Sequence, residues 1–288
     1  MIGAFLTPPP GVFSTTTVSF GILERPDLTI RYEEPLGKAA EDLAAVFPAV
    51  SAELVDLFGW RLAERPTVML IQTAQLFRQR AGHPLISAYA VPSENLIVLD
   101  YGKLAGRPVQ LRSVLKHELV HLFLNAGRQA DALPKWLEEG VAQWASEGVA
   151  ELLEQPPPTI FEDAVVAGGL IPLSELRHRF PTDDRRLMLA YEESRRAVDY
   201  IVEANGRSTL IEFLAEVRRG SDVEAAFYRG FGAFPWEIEK QWLDRQSRAT
   251  AWPVVLAGHI YQFLFLLGAL LTVAGFVRFL RRKRDYTE

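Results

Sequence analysis

The segment Lys116-His117-Glu118-Leu119-Val120-His121 places the strongest constraint on how this chain can fold. Two histidines four positions apart reach a single ion only if the stretch between them is helical, because residues i and i+4 then project from one face. The flanking pattern agrees. Val114, His117, His121 and Leu124 form one stripe, and Leu111, Leu115, Leu119 and Leu122 form an adjoining apolar stripe that can seat the helix in a core. Glu118 is turned about 100° from His117, close enough to contact a water on such an ion without being a ligand. A helix with two ordinary histidines is the plainer reading of this pentad, but it leaves a second feature unexplained.

Catalytic zinc takes three protein ligands and keeps a fourth position for water. The 288 residues include no cysteine, so disulfides, thiolate zinc sites and cysteine nucleophiles are excluded, and any ligand is His, Asp or Glu. Glu139 follows His121 by 18 residues, inside Leu133-Pro134-Lys135-Trp136-Leu137-Glu138-Glu139-Gly140-Val141-Ala142-Gln143-Trp144. Gly127 can end the first helix, and Pro134 suits the first turn of the next, so an antiparallel helix pair is expected. Leu137, Val141 and Trp144 share one face of the second helix, and Trp136, Glu139 and Gln143 share another. Gly140 would let this backbone approach the histidine helix closely, while Glu138 points towards solvent. The competing reading of Glu139 is a surface acid on an exposed helix.

His117–His121 followed by Trp136–Ala142, that is H-E-x-x-H and then W-L-x-E-G-x-A, resembles the gluzincin metallopeptidases. These are the peptidase MA-like enzymes that include thermolysin and the zinc aminopeptidases. The resemblance is specific to the group rather than to one member, and a looser likeness extends to about Trp242. It implies a zincin-like fold, Zn2+ as cofactor, His117, His121 and Glu139 as zinc ligands, and Glu118 as general base. Ala190-Tyr191-Glu192-Glu193-Ser194 resembles the segment where zinc aminopeptidases place a tyrosine that steadies the tetrahedral intermediate, which implies that role for Tyr191. A tyrosine packed at a helix start fits the same residues. Two departures stand out. The aminopeptidases carry G-x-M-E-N before the zinc helix, whereas this chain has only Ser93-Glu94-Asn95 in a turn, so Glu94 receives no amine-binding role. The chain is also too short for all the domains of those enzymes.

The expected fold class is α+β: a small N-terminal mixed sheet, then the active-site helix and a mostly helical C-terminal part. Thr15–Leu23, Leu28–Tyr32 and Thr67–Gln72 read as strands, and Leu85–Val91 and Leu96–Tyr101 as a pair joined by a turn at Pro92-Ser93-Glu94-Asn95. Leu36–Phe58 reads as a helix, with Pro48 interrupting it or starting its second half. Helices follow over Leu111–Asn125, Pro134–Glu147, Phe161–Ala167, Tyr191–Ala204, Ser208–Arg218, Val223–Gly230 and Pro235–Ser247. The strand Leu85–Val91 could offer its edge to an extended peptide. His83 and His178 read as surface residues.

From Trp252 to Leu280 the chain is almost wholly apolar, broken chiefly by His259, Gln262, Thr272 and Arg278. About 20 such residues suffice to span a bilayer, so residues 254–277 are expected to form one transmembrane helix. Arg281-Arg282-Lys283-Arg284 beyond it would lie on the cytoplasmic side, leaving the main domain extracytoplasmic. Met1–Leu6 is short and uncharged and Pro8-Pro9-Pro10 follows, which does not resemble a signal peptide and sits uneasily with export. The expected organisation is an N-terminal segment (1–13), a metallopeptidase domain (14–248), a linker (249–253), the membrane helix (254–277) and a basic tail (278–288).

The expected protein is thus a single-pass cell-membrane zinc metallopeptidase acting on peptide or protein substrates, with the lipid bilayer as a partner. A net charge of −5 gives no surface for nucleic acid. The rival readings are a membrane-anchored binding module with a structural or vestigial zinc, and a zinc hydrolase of non-peptide substrates.

Overall fold

Strands β1 (Phe20–Arg25) and β2 (Leu28–Glu33) pair antiparallel with Arg25 opposite Leu28, so Pro26 and Asp27 alone make the turn. This computed structural model describes residues 19–285 except 82, 127–132, 148–156 and 158. For residues 80, 247–263, 277 and 279–285 it describes the backbone alone. The segment 1–13, the start of the first expected strand, Gly127 and the side chains of His259 and Arg281–Arg284 therefore lie outside the described residues.

Among the described residues the chain divides into two units: residues 1–129, 141–154 and 218–220 in one, and 130–140, 155–217 and 221–288 in the other. The first unit is built on a five-stranded sheet. Helix α1 (Gly37–Phe58) connects β2 to the parallel β3 (Thr67–Ile71). After α2 (Ala74–Ala81) come β4 (Ala88–Val91) and β5 (Leu96–Asp100), which pair antiparallel, while β5 also runs parallel to β3. The order is β1-β2-β3-β5-β4, which leaves β4 at an edge. Alternation puts Leu28, Ile30, Val68, Leu70, Ile97, Leu99 and Ala88 on one face, and all seven are buried. Helix α1 packs on β2, and α4 (Pro108–Asn125), reached through the single turn α3 (Tyr101–Leu104), packs on β4 and on α1. On the other face, Phe77 of α2 packs over Ile71 and Val98.

Helix α1 does not break at Pro48. Its buried row of Leu43, Phe47, Val50, Leu54 and Phe58 continues on both sides of the proline, so side-chain packing outweighs one missing backbone hydrogen bond.

The second unit holds the first half of α5 (Lys135–Ala145) with α6 (Ile160–Ala167), α7 (Asp184–Asn205), α8 (Arg207–Arg218), α9 (Val223–Phe231) and α10 (Pro235–Asp285). Asp183 caps α7 by accepting the Arg186 amide, and its buried face runs Leu187, Ala190, Tyr191, Ser194, Ala197, Val198 and Ile201. Phe213, Phe227 and Phe231 cluster with ring centroids 4.6–5.5 Å apart. Trp242 of α10 lies over Phe161 of α6.

One expectation is overturned. Residues 254–277 do not form a separate membrane-spanning helix: among the described residues no helix is long and apolar enough to cross a membrane. The stretch belongs instead to α10, a helix of 51 residues whose first part carries Glu237, Glu239, Lys240, Asp244 and Arg245. The single-pass anchor, the cytoplasmic tail, the extracytoplasmic placement and the bilayer partner inferred from it are withdrawn together.

Gly140 serves a different neighbour from the one expected. A Cβ on it would lie 2.3 Å from the Ser194 carbonyl oxygen and 2.6 Å from Val198 Cγ2, so it seats α5 against α7 rather than against the histidine helix. In an open helix, Gly→Ala gains about 1 kcal/mol. Here Gly140→Ala is expected to lose about 2 kcal/mol, because backbone must move to admit the methyl. Urea unfolding of the two proteins checks the sign.

Candidate metal centre

Helix α4 begins with Pro108 in its first turn, where a missing N–H costs nothing. Every residue from Val114 to Leu124 is buried. Such a stretch should be apolar, yet it contains Lys116, His117, Glu118 and His121, so each polar group needs a reason to be there. Lys116 has one on α1: its Nζ lies 3.1 Å from Glu53 Oε2, and Arg112 one turn earlier pairs with the same carboxylate. The lysine beside the first histidine is thereby held by an ion pair.

His117 and His121 meet as their spacing requires. Their Nε2 atoms are 3.3 Å apart and the rings are inclined by 67°. Asn125 donates to the His121 carbonyl at 2.9 Å and closes the last turn. Glu118, between them in sequence, is fully buried.

The third group comes from α5. Pro134 stands just before the helix, and its carbonyl accepts from Leu137 and Glu138 at 2.9 and 3.0 Å to start the first turn. Trp136, Leu137, Glu139, Gly140, Val141, Ala142 and Gln143 are buried, while Glu138 is half-buried. Glu139 is therefore no exposed surface acid. It accepts a hydrogen bond from Lys135 Nζ at 2.9 Å, one turn back.

His117, His121 and Glu139 each present one ligand atom, and these three lie within 4.8 Å of one another. The donor set fits zinc, since two imidazoles and a carboxylate are a known catalytic combination. The separation of the two Nε2 atoms fits as well. Tetrahedral bonds of about 2.05 Å place neighbouring nitrogens about 3.3 Å apart.

Tyr191 is buried in the third turn of α7, not at a helix start, and its ring packs edge-on against Phe180 with centroids 5.0 Å apart. His83 Nδ1 accepts from the Leu85 amide in a turn, and His178 is exposed; neither joins a metal-binding group among the described residues.

Two polar residues escaped the sequence reading. Lys135 had an available signal, its i,i+4 spacing to Glu139 on a helix. Glu193 had none, because a buried acid within Glu192-Glu193 looks like any charged pair. Glu193 is fully buried and accepts from the Ile171 amide at 3.0 Å. Burial pushes its carboxyl up to about 8, against the pull of that amide, and nearby Glu239 adds to the rise. The neighbouring Glu192 differs. Burial would raise it too, but hydrogen bonds from Arg195 and Arg196 outweigh that and hold it below the ordinary value.

With this geometry in view, a profile of the Peptidase MA superfamily matches residues 69–246, well over half of the chain. The chain belongs to the Peptidase MA superfamily. The match takes in α4, α5 and α7, and with them His117, Glu118, His121, Glu139 and Tyr191. Among solved structures, the crystal structure of Legionella pneumophila aminopeptidase A in complex with aspartic acid is similar at 14% identity and a TM-score of 0.49. That alignment covers 78% of this chain and 27% of that one, so this chain spans little more than a quarter of the aminopeptidase. No curated protein matches the sequence.

Glu193 yields a pH prediction. A carboxyl raised from 4.5 to about 8 keeps its proton in the fold and loses it in the unfolded chain. Its contribution is therefore complete below pH ~4.5 and is lost as pH rises towards ~8, on the order of 5 kcal/mol in all. Denaturant midpoints measured from pH 5 to 8 should fall, and Glu193→Gln should flatten that fall.

Proposed function

We propose that this member of the Peptidase MA superfamily is a zinc-dependent peptidase, with His117, His121 and Glu139 as ligands and Glu118 as general base. The observation that carries the reading is the convergence of those three ligand atoms within 4.8 Å, with a fully buried carboxylate one residue after the first histidine. A purely structural metal site has no use for that carboxylate.

Zinc held there would polarise the scissile carbonyl and bring the pKa of water towards ~7. Glu118 takes the proton of the attacking water and passes it to the leaving amine. Tyr191 is the candidate hydroxyl donor to the developing oxyanion, a role that rests on its place in Ala190–Ser194 and on a ring fixed by Phe180. Substrate has a natural place at β4. The Ser87 carbonyl accepts from the Asp100 amide, so Ser87 faces β5 and, by alternation, Ala88 and Ala90 turn their N–H and C=O groups away from the sheet. An extended peptide pairing with that edge lies along the strand on which α4 packs.

The test uses the full chain, metal analysis and a mixed peptide library read by mass spectrometry. The wild type is expected to hold one zinc and cleave peptides. Glu118→Gln should keep the zinc and lose about 10³-fold or more in kcat. Bound zinc with no cleavage of any peptide would turn the reading towards a binder or another substrate class, and a zinc-replete protein without zinc would refute the centre. Ala90→Pro, which removes an outward donor while sparing the β4–β5 ladder, should raise KM with little change in kcat. Tyr191→Phe should lower kcat about 10–100-fold, and an unchanged kcat would assign Tyr191 to packing alone.

A further inference from the structure

The proposed centre has an ammonium group built against its only carboxylate ligand. Lys135 Nζ donates to Glu139 Oε1 at 2.9 Å across one turn of α5. The same ammonium lies 5.2 Å from the centroid of the Phe180 ring, which in turn meets Tyr191 edge-on. Lys135 is about a third exposed, whereas Glu139 is almost fully buried. An exposed i,i+4 ion pair contributes little, since both partners remain hydrated and mobile. This pair is different in kind. One partner is desolvated, and the other has its charged end seated on an aromatic face, which restricts the arc through which the ammonium can swing.

We propose that Lys135 is a positioning residue for the third ligand, resting on the zinc reading above. It holds one oxygen of Glu139 in a fixed place and so sets the orientation in which the carboxylate meets the metal. A carboxylate has two oxygens and about four lone-pair directions, so one bond to an ammonium leaves ample capacity for a metal. The terminal torsion of a carboxylate is broad, so each bond to Glu139 narrows the orientations it can take. Groups that hydrogen-bond a metal ligand and fix its orientation are worth 10–100-fold in metal affinity when removed. The opposite effect is also physical: a cation near a dication repels it, and Lys135 would then compete with zinc for Glu139. The Phe180 platform favours positioning, because a competitor must be able to leave the carboxylate and the ring holds the ammonium beside it.

The experiment is chelator-competition measurement of zinc affinity on the full chain, with apo-protein melting curves as the control for folding. Lys135→Met keeps the stem over Phe180 and removes the charge; it is expected to weaken zinc 10–100-fold. Lys135→Arg should restore affinity to within a few-fold of wild type. Phe180→Leu, which removes the ring and leaves the ion pair, should weaken zinc by a few-fold. Placed on Glu139→Gln, the lysine change should have no further effect on affinity. Unchanged or tighter zinc binding by Lys135→Met overturns the proposal and makes the lysine a bystander or a competitor, while the zinc reading survives. An equal loss on the Glu139→Gln background also overturns it, since the effect would not pass through that carboxylate. A wild type that binds no zinc overturns both.

Discussion

The burial of α4 is the constraint on which the rest of this structure depends. A helix enclosed from Val114 to Leu124 and carrying Lys116, His117, Glu118 and His121 puts four polar side chains where water cannot compensate them. Two other elements answer three of them. Glu53 on α1 takes the lysine, and Glu139 on α5 stands within ligand distance of both imidazoles. A set of donors gathered in this way favours a cation at its centre, which couples metal binding to the stability of the elements that present it.

Much of the centre was legible because helical periodicity is a strict ruler. Once His117 and His121 lie on one face, their meeting follows from geometry alone, and the observed Nε2 separation is the consequence. The third group was harder, because no local rule connects residues 18 apart on different helices. Trp136–Ala142 supplied it through resemblance, and the structure then brought Glu139 to the histidines. The roles of Glu118 and Tyr191 remain a proposal that this arrangement supports.

What sequence could not convey was mostly which neighbour a residue answers to. Gly140 invited a close approach, but the helix that makes it is α7. The cap at Asp183 starts α7 seven residues before Tyr191, so a tyrosine placed by pattern at a helix start lies well inside the helix. Pro48 marked a break that core packing overrides. The apolar stretch after Trp252 was read as an independent element because composition changes there, whereas the backbone continues one helix from Pro235. Glu193 was invisible for a simpler reason: nothing in a run of acids tells which one faces inward.

Gly140 carries a consequence for anyone wishing to transplant this centre. Six consecutive residues, Lys135 to Gly140, contain the carboxylate, the ammonium beside it and a surface shaped to a neighbouring backbone carbonyl. Copied alone into another scaffold, they would bring the chemistry without its seat. The recipient must present a carbonyl where Ser194 does, and a ring where Phe180 does, or the carboxylate arrives at the wrong depth. The smallest portable version of the third ligand is therefore a helix pair with an aromatic loop, not a motif.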